Sequence, residues 1–146
     1  MALDTDIEIL RSIPLFAVLS LDALRLLVFS SEKSLVANDE AICGNAPLDG
    51  ALVVMSGKAK VAAPKGSLRP ALEYASPLLL GATSLVVADA QVPRVTAAGQ
   101  VALMRIPRAL FRRILDEYPD DALKLHDALA ADLQSFTADL ARHARN

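Results

Sequence analysis

The sequence predicts a mainly β domain with flanking helices, an α+β fold, from two changes in its residue pattern. Before residue 30 and again after Pro107, apolar residues recur at the three- and four-residue spacing of amphipathic helices. Between these segments, short apolar runs alternate with turn residues, as in a set of short strands. We therefore predict that residues 1–146 form one domain with N-terminal helices at 1–33, a β-structure at 34–106 and C-terminal helices at 107–146.

Composition limits the classes of function. With 53% hydrophobic and 22% charged residues, a chain of 146 residues can bury a core. Its 15 Lys and Arg against 17 Asp and Glu give a net charge of -2, whereas a nucleic-acid binder usually carries a basic excess. The acidic N-terminus and the lack of an apolar run of about 18 residues predict a cytoplasmic protein that does not enter a membrane.

The N-terminal segment predicts two short helices. Apolar residues from Ile7 onward are interrupted at Pro14, and a second helix is expected to begin after Ser20. The hydroxyl of Ser20 suits an N-cap, since it can accept a hydrogen bond from an amide of the first helical turn.

The central segment predicts short strands separated by turns. Predicted strands are 41–43, 51–55, 58–61, 78–80 and 101–106. Predicted separators are 44–47, 56–57, 64–67 and 98–100, each of which contains glycine.

The C-terminal segment predicts one helix after Pro107 and a longer one that opens at Pro119. An apolar stripe runs along the longer helix, and we expect its first half to pack on the chain's own domain. We expect its second half to form a two-helix seam with another copy, giving a homodimer. The residues of this predicted seam are Leu129, Leu133, Phe136 and Leu140.

Three phrases of the sequence resemble one family. Residues 13–20 read IPLFAVLS, residues 49–59 read DGALVVMSGKA, and residues 105–111 read RIPRALF. In this order they resemble the cyclic nucleotide-binding domains of bacterial catabolite-activator (Crp/Fnr-like) regulators and of eukaryotic kinase regulatory subunits. The resemblance implies a double-stranded β-helix, or jelly-roll, called the β-roll, in which the glycine of the second phrase makes a tight hairpin. It also implies a long C-terminal helix.

The resemblance further implies a phosphate-binding cassette, in which a glycine and a glutamate open a short helix and an arginine follows ten residues after the glycine. Here Gly81 matches the glycine, Ala82 stands at the glutamate position and Gln91 at the arginine position. Both charged contacts are then absent, so we do not expect cyclic AMP or cyclic GMP to bind in the usual way. The candidate residues of this degenerate pocket are Gly81, Ala82, Thr83, Ser84, Gln91, Val92 and Arg94.

Two alternatives stay open at this pocket. A loop adjustment around Pro93 could bring the guanidinium of Arg94 to a phosphate group, although Arg94 stands at the start of a predicted strand. Thr83 and Ser84 could form a small anion site at a helix start, or they could simply cap that helix. We favour the capping interpretation.

Other chemistry is not supported by the residues. His126 and His143 are too far apart on one helix to share a metal ion, so no metal or cofactor is expected. Cys43 has no flanking cation to activate its thiol, and it suits a buried apolar position. The acidic pairs 116–117 and 120–121 are interpreted as solvated charges near helix ends. No catalytic constellation can be named, so we expect no enzyme activity.

The resemblance also bears on partners. Regulators of this family usually continue past the long helix into a helix-turn-helix domain, and the sequence here ends at Asn146, so we expect no direct DNA binding. The leading hypothesis is a stand-alone regulatory or interaction module that is not catalytic. The alternative is a sensor that binds a cyclic nucleotide or another small anionic ligand through a rebuilt pocket.

Overall fold

A computed structural model describes residues 2–44, 48–62, 70–85 and 92–128. Three helices open the chain: α1 (Ala2–Arg11), α2 (Pro14–Ala17) and α3 (Leu21–Ser30). The prediction of two helices was wrong because Pro14 does not only break a helix; its fixed φ also starts the short helix α2. The prediction for Ser20 is confirmed: it is the N-cap of α3, and its Oγ accepts a hydrogen bond of 3.3 Å from the Ala23 N–H.

Six antiparallel strands form the sheet within the described residues. They are β1 (Glu32–Val36), β2 (Ala41–Cys43), β3 (Gly50–Val61), β4 (Leu72–Ala75), β5 (Leu78–Leu80) and β6 (Val95–Pro107). The strand order is β1-β6-β3-β4; β2 also pairs with β6, and β5 also pairs with β3. The sequence did not reveal β1 or β4, because four of the five residues of β1 and all four of β4 are exposed and give no apolar pattern.

The predicted turns at 56–57 and 98–100 were wrong, and so was the tight hairpin at Gly57. Both segments lie inside long continuous strands that pair with each other, β3 and β6. Gly57 and Gly99 have positive φ angles of 96° and 92°, and the register of the two strands shifts beside them. The glycines therefore bend the paired strands and do not end them. Before the bend β3 pairs with β5, and after it β3 pairs with β4.

The first half of β3 is buried on both faces, from Gly50 to Val54. The helix-side core contains Ala51 and Val53 of β3, and the roll-side core contains Leu52 and Val54. Because side chains alternate along a strand, one face of the sheet packs on the helices and the other faces the interior of the roll. This arrangement confirms the predicted mainly β fold with flanking helices.

Each of the two cores consists of aliphatic side chains and a few larger ones. The helix-side core is Ile7, Leu10, Ile13, Leu15, Phe16, Leu19, Ala23, Leu24, Leu27, Val28, Ala51, Val53, Leu85, Met104, Ile106, Phe111, Ile114 and Leu125. The roll-side core is Cys43, Leu52, Val54, Ala59, Leu80, Val95, Ala97, Val101 and Leu103.

The chain returns to helix directly after the sheet. Pro107 ends β6 and is the N-cap of α4 (Arg108–Glu117), and residues 119–128 are helical and are called α5 here. Leu125 of α5 is buried in the helix-side core, so the first half of the predicted stripe packs on the chain's own domain. Leu129, Leu133, Phe136 and Leu140 lie outside the described residues. Within the described ranges, no helix combines the length and the apolar character needed to cross a bilayer.

Asp121 connects α5 to α3, and its interpretation as a solvated charge was wrong. The residue is only 6% exposed. Its Oδ2 accepts hydrogen bonds from the Ser20 N–H at 3.1 Å and from the Ser20 Oγ at 2.6 Å. The first turn of α5 therefore lies against the start of α3, where a carboxylate can satisfy an amide that the helix leaves unpaired.

The bend at Gly57 gives a direct test of this fold. A Cβ built at Gly57 would lie 2.5 Å from the Gln100 carbonyl oxygen, whereas a Cβ at Gly99 would meet no atom within 4 Å. We expect Gly99→Ala to cost about 1–2 kcal/mol of unfolding free energy, from its positive φ alone. We expect Gly57→Ala to cost roughly 3 kcal/mol or more, because the strand pair must also separate. Urea unfolding of both variants measures the difference, and equal losses would argue against the coupled bend.

Candidate functional site

The candidate site is a turn that follows β5. Gly81 has a φ of 72°, and the next four residues form the 3₁₀ helix η1 (Ala82–Leu85). The Ser84 N–H closes the turn by donating to the Gly81 carbonyl oxygen at 2.9 Å. The positive φ makes this position favour glycine, whereas the space is less restrictive: a Cβ built at Gly81 would lie 2.7 Å from Cδ1 of Leu48, the end of a flexible side chain.

Ser84 is the polar group at the centre of this turn. Its side chain is fully buried, and its Oγ has no hydrogen-bond partner among the described residues. The Oγ lies 3.6 Å from the position that a Cβ on Gly81 would occupy. Ordinary capping does not explain this hydroxyl, because a capping oxygen would accept a bond from a backbone N–H. Within the described residues, the donor and acceptor capacity of the Ser84 hydroxyl is therefore unused.

Ala82 occupies the position that the resemblance gives to glutamate. It begins η1, is half-buried and packs against the helix-side core. A methyl group cannot accept a hydrogen bond from a sugar hydroxyl. Thr83 also lies in η1. Gln91, at the arginine position, lies outside the described residues.

Val92 and Arg94 lie in the segment that leads into β6. Val92 is half-buried against the roll-side core, and Arg94 is exposed. The backbone of Arg94 is held in place: its carbonyl oxygen accepts from the Ala62 N–H at 2.8 Å, and a Cβ on Gly44 would come within 2.4 Å of its Cα. The next residue, Val95, pairs with the last residue of β3.

Gly81 and Arg94 are each next to a strand residue that pairs with β3, but the two pairings are at different ends of β3. The strand before Gly81 pairs with Leu52–Val54 near the start of β3, whereas Val95 pairs with Val61 at its end. The structure thus places Arg94 on the far side of the Gly57 bend from the β5 pairing.

Arg108 is a residue of this site that the sequence analysis did not single out. Its Nε donates to the Ser84 carbonyl oxygen at 2.8 Å, and its Nη2 donates to the Leu48 carbonyl oxygen at 3.1 Å. Its backbone N–H donates to the Asp49 carbonyl oxygen at 2.6 Å. No sequence signal separates it from the other arginines, because its partners are backbone carbonyls of distant residues.

Cys43 belongs to the interior of the roll and not to a reactive site. The thiol is buried in the roll-side core, and its Sγ lies 3.6 Å from the Pro93 carbonyl oxygen. Burial raises the pKa of the Cys43 thiol to about 11, against a smaller lowering by a backbone hydrogen bond from Val95. The thiol is therefore protonated at neutral pH, as a buried apolar role requires.

The histidines do not form a site in the described chain. His126 is exposed on α5, and His143 lies outside the described residues. In the ranges that the structure covers, no group of three or more His, Cys, Asp or Glu side chains could hold a metal ion.

The Ser84 hydroxyl, which has no partner among the described residues, predicts an unusual effect of truncation. We expect Ser84→Ala to raise the free energy of unfolding by about 1 kcal/mol, because it removes a buried polar atom for which the described residues offer no partner. Ser20→Ala is the matched control, and we expect it to lower stability by about 1 kcal/mol or more, since it loses bonds to Ala23 and Asp121. Urea unfolding measures both, and a similar loss in both variants would show that the Ser84 hydroxyl is already satisfied.

Comparison with known proteins gives structural matches only. No protein-family model and no curated protein matches the chain. The N-terminal domain of a transcriptional regulator from Streptomyces coelicolor matches with a TM-score of 0.77 and 25% identity, over 90% of this chain and 94% of that one. A cyclic nucleotide-binding-like protein from Brucella abortus matches with a TM-score of 0.67 and 25% identity, over 76% and 97%.

A third match extends the comparison. The catabolite activator protein of Thermus thermophilus superposes with a TM-score of 0.71 and 22% identity, over 90% of this chain and 63% of that one. The resemblance predicted from the three sequence phrases is confirmed at the level of structure. The chain has the β-roll fold of the cyclic nucleotide-binding domains, with helices before and after the roll in the sequence.

Proposed function

We propose that this chain is a stand-alone regulatory or interaction module of the cytoplasm that is not catalytic and does not bind cyclic AMP or cyclic GMP in the usual way. The observation that carries the proposal is Ala82, which follows Gly81 where the resemblance requires a glutamate. The structural neighbours support the regulatory role, since one of them is the N-terminal domain of a transcriptional regulator and another is a catabolite activator protein.

Two charged ligand contacts of the family's cassette are missing from this sequence. A hydrogen bond to a charged group contributes roughly 1.5–3 kcal/mol, so the loss of the glutamate alone weakens binding by about tenfold to a hundredfold. In the sequence register, Gln91 removes the arginine contact as well. The two losses together would weaken cyclic-nucleotide affinity by about a hundredfold or more.

The test is to restore both charges. Isothermal titration calorimetry with cyclic AMP and cyclic GMP is expected to give no micromolar binding for the unchanged protein. The variant Ala82→Glu/Gln91→Arg is expected to gain at least about a hundredfold in affinity, because it regains two charge-assisted contacts. Ala82→Gln/Gln91→Lys is the matched control, since it adds polar groups of similar length without the carboxylate or the planar guanidinium.

One result would contradict the proposal. Micromolar binding of cyclic AMP by the unchanged protein, abolished by Arg94→Ala, would show that Arg94 supplies the missing cation. That outcome would favour the second candidate function, a small-ligand sensor with a rebuilt pocket.

The buried hydroxyl of Ser84 is the observation that favours this second candidate. This Oγ beside Gly81 has no partner in the described part of the chain, and it could bind a polar group of a small ligand, either a cyclic nucleotide or another anion. Under this candidate, Ser84→Ala would weaken ligand binding in the same titration. Under the leading proposal, the titration of that variant stays as flat as that of the unchanged protein.

We further propose that the module forms a homodimer through its C-terminal helix. The apolar stripe of α5 continues in the sequence with Leu129, Leu133, Phe136 and Leu140. A largely apolar hollow between α4 and α5, lined in part by Ala122 and Leu125 of the stripe, supports the proposal. Such an apolar surface is typical of one that a partner covers.

Light scattering tests the dimer. The unchanged protein is expected to have twice the monomer mass of 15.5 kDa, and Phe136→Asp is expected to have the monomer mass, because a charge in an apolar seam is not tolerated. Gln134→Asp is the matched control, since it adds the same charge outside the stripe. A monomer mass for the unchanged protein would remove the dimer from the proposal.

A further inference from the structure

We propose that Arg108 is a positioning residue that fixes the shape of the Gly81 turn and joins that turn to the start of α4. The inference rests on the proposed function in one respect: it takes the Gly81 turn as the degenerate ligand site of the fold. The contacts of Arg108 itself do not depend on which ligand binds there.

The guanidinium of Arg108 holds two separate segments. Nε binds the carbonyl oxygen of Ser84 on η1, and Nη2 binds the carbonyl oxygen of Leu48, which precedes β3. Both segments lie close to Gly81, since a Cβ on Gly81 would lie 2.7 Å from the Leu48 side chain and 3.6 Å from Ser84 Oγ. A planar guanidinium presents its N–H groups in a fixed geometry, so the two bonds set the relative position of Leu48 and Ser84.

The backbone of Arg108 connects the same segments to α4. Arg108 is the first residue of α4, and its N–H donates to Asp49, the neighbour of Leu48. Phe111 of α4 is buried in the helix-side core together with Leu85, the last residue of η1. A shift of η1 against α4 would therefore break the bond from Arg108 to Ser84 and disturb apolar packing at the same time. The shape of the turn and the position of α4 are therefore coupled through the Arg108 side chain and through the apolar core that they share.

Neighbouring arginines do not share this role. Arg105 forms ion pairs with Glu32 and Asp49, two side chains that are well exposed to solvent. Arg112 lies one turn after Arg108 on α4, is exposed and lines the same surface hollow as Asp49 and Arg108. Arg112 is therefore a matched control, since it has the same residue type, helix and surroundings.

The experiment is native-state amide hydrogen exchange by NMR on the full chain without ligand. Arg108→Lys keeps the charge but loses the guanidinium fork, so the Ser84 amide is expected to exchange about tenfold faster, the effect of losing a hydrogen bond from a charged donor. The Ala97 amide is the internal reference, because it donates to Glu40 at another part of the sheet, and its rate is expected not to change. Arg112→Lys is expected to leave both rates unchanged.

Three results would overturn the proposal. The first is an unchanged Ser84 rate in Arg108→Lys, and the second is equal acceleration of Ser84 and Ala97, which would mean general destabilisation. If the lysine variant does not fold, Arg108→Gln is measured in the same way, and failure of both variants to fold would likewise show a role in overall stability. A positive cyclic AMP titration would refute the proposed function and leave these exchange rates as they are, so the two failures are distinguishable.

Discussion

The antiparallel pairing of β3 with β6 is the constraint on which the rest of this structure depends. The ladder extends from Gly50 opposite Pro107 to Val61 opposite Val95, and every other strand pairs with one of these two. Its first residue pair, Gly50 with Pro107, brings the start of β3 to the point where α4 begins. This is why the Asp49 carbonyl oxygen accepts a hydrogen bond from the Arg108 N–H. The site is thus a product of the ladder, since Arg108 reaches the Gly81 turn only from this end of β6.

The Gly81 turn is shaped mainly by backbone groups. A glycine with positive φ, a closed 3₁₀ turn and two carbonyls bound by Arg108 define it, and the side chain at its first helical position is a methyl group. Geometry of this kind can be retained in a protein after the charged ligand contacts have been lost, because the core and the ladder stabilise it independently of any ligand. A fold-level likeness therefore does not identify an occupant for this turn.

The sequence was sufficient for the fold class, because three phrases and the change from helical to strand spacing are local patterns. It was also sufficient for Ser20, whose capping role depends on its near neighbours. It failed at Gly57 and Gly99, because a glycine in a bulge and a glycine in a turn look the same without knowledge of the opposite strand. It also failed for Asp121 and Arg108, whose partners are distant in the chain.

The alternation along β3 has a practical consequence for spectroscopy. Leu52 and Val53 are consecutive residues, yet the methyl groups of one lie in the roll-side core and those of the other in the helix-side core. Isotope labels on this single dipeptide would report separately on the two faces of one sheet. A disturbance that enters from the roll and one that enters from the helices would shift different resonances, so the direction from which a signal arrives could be distinguished within a single spectrum.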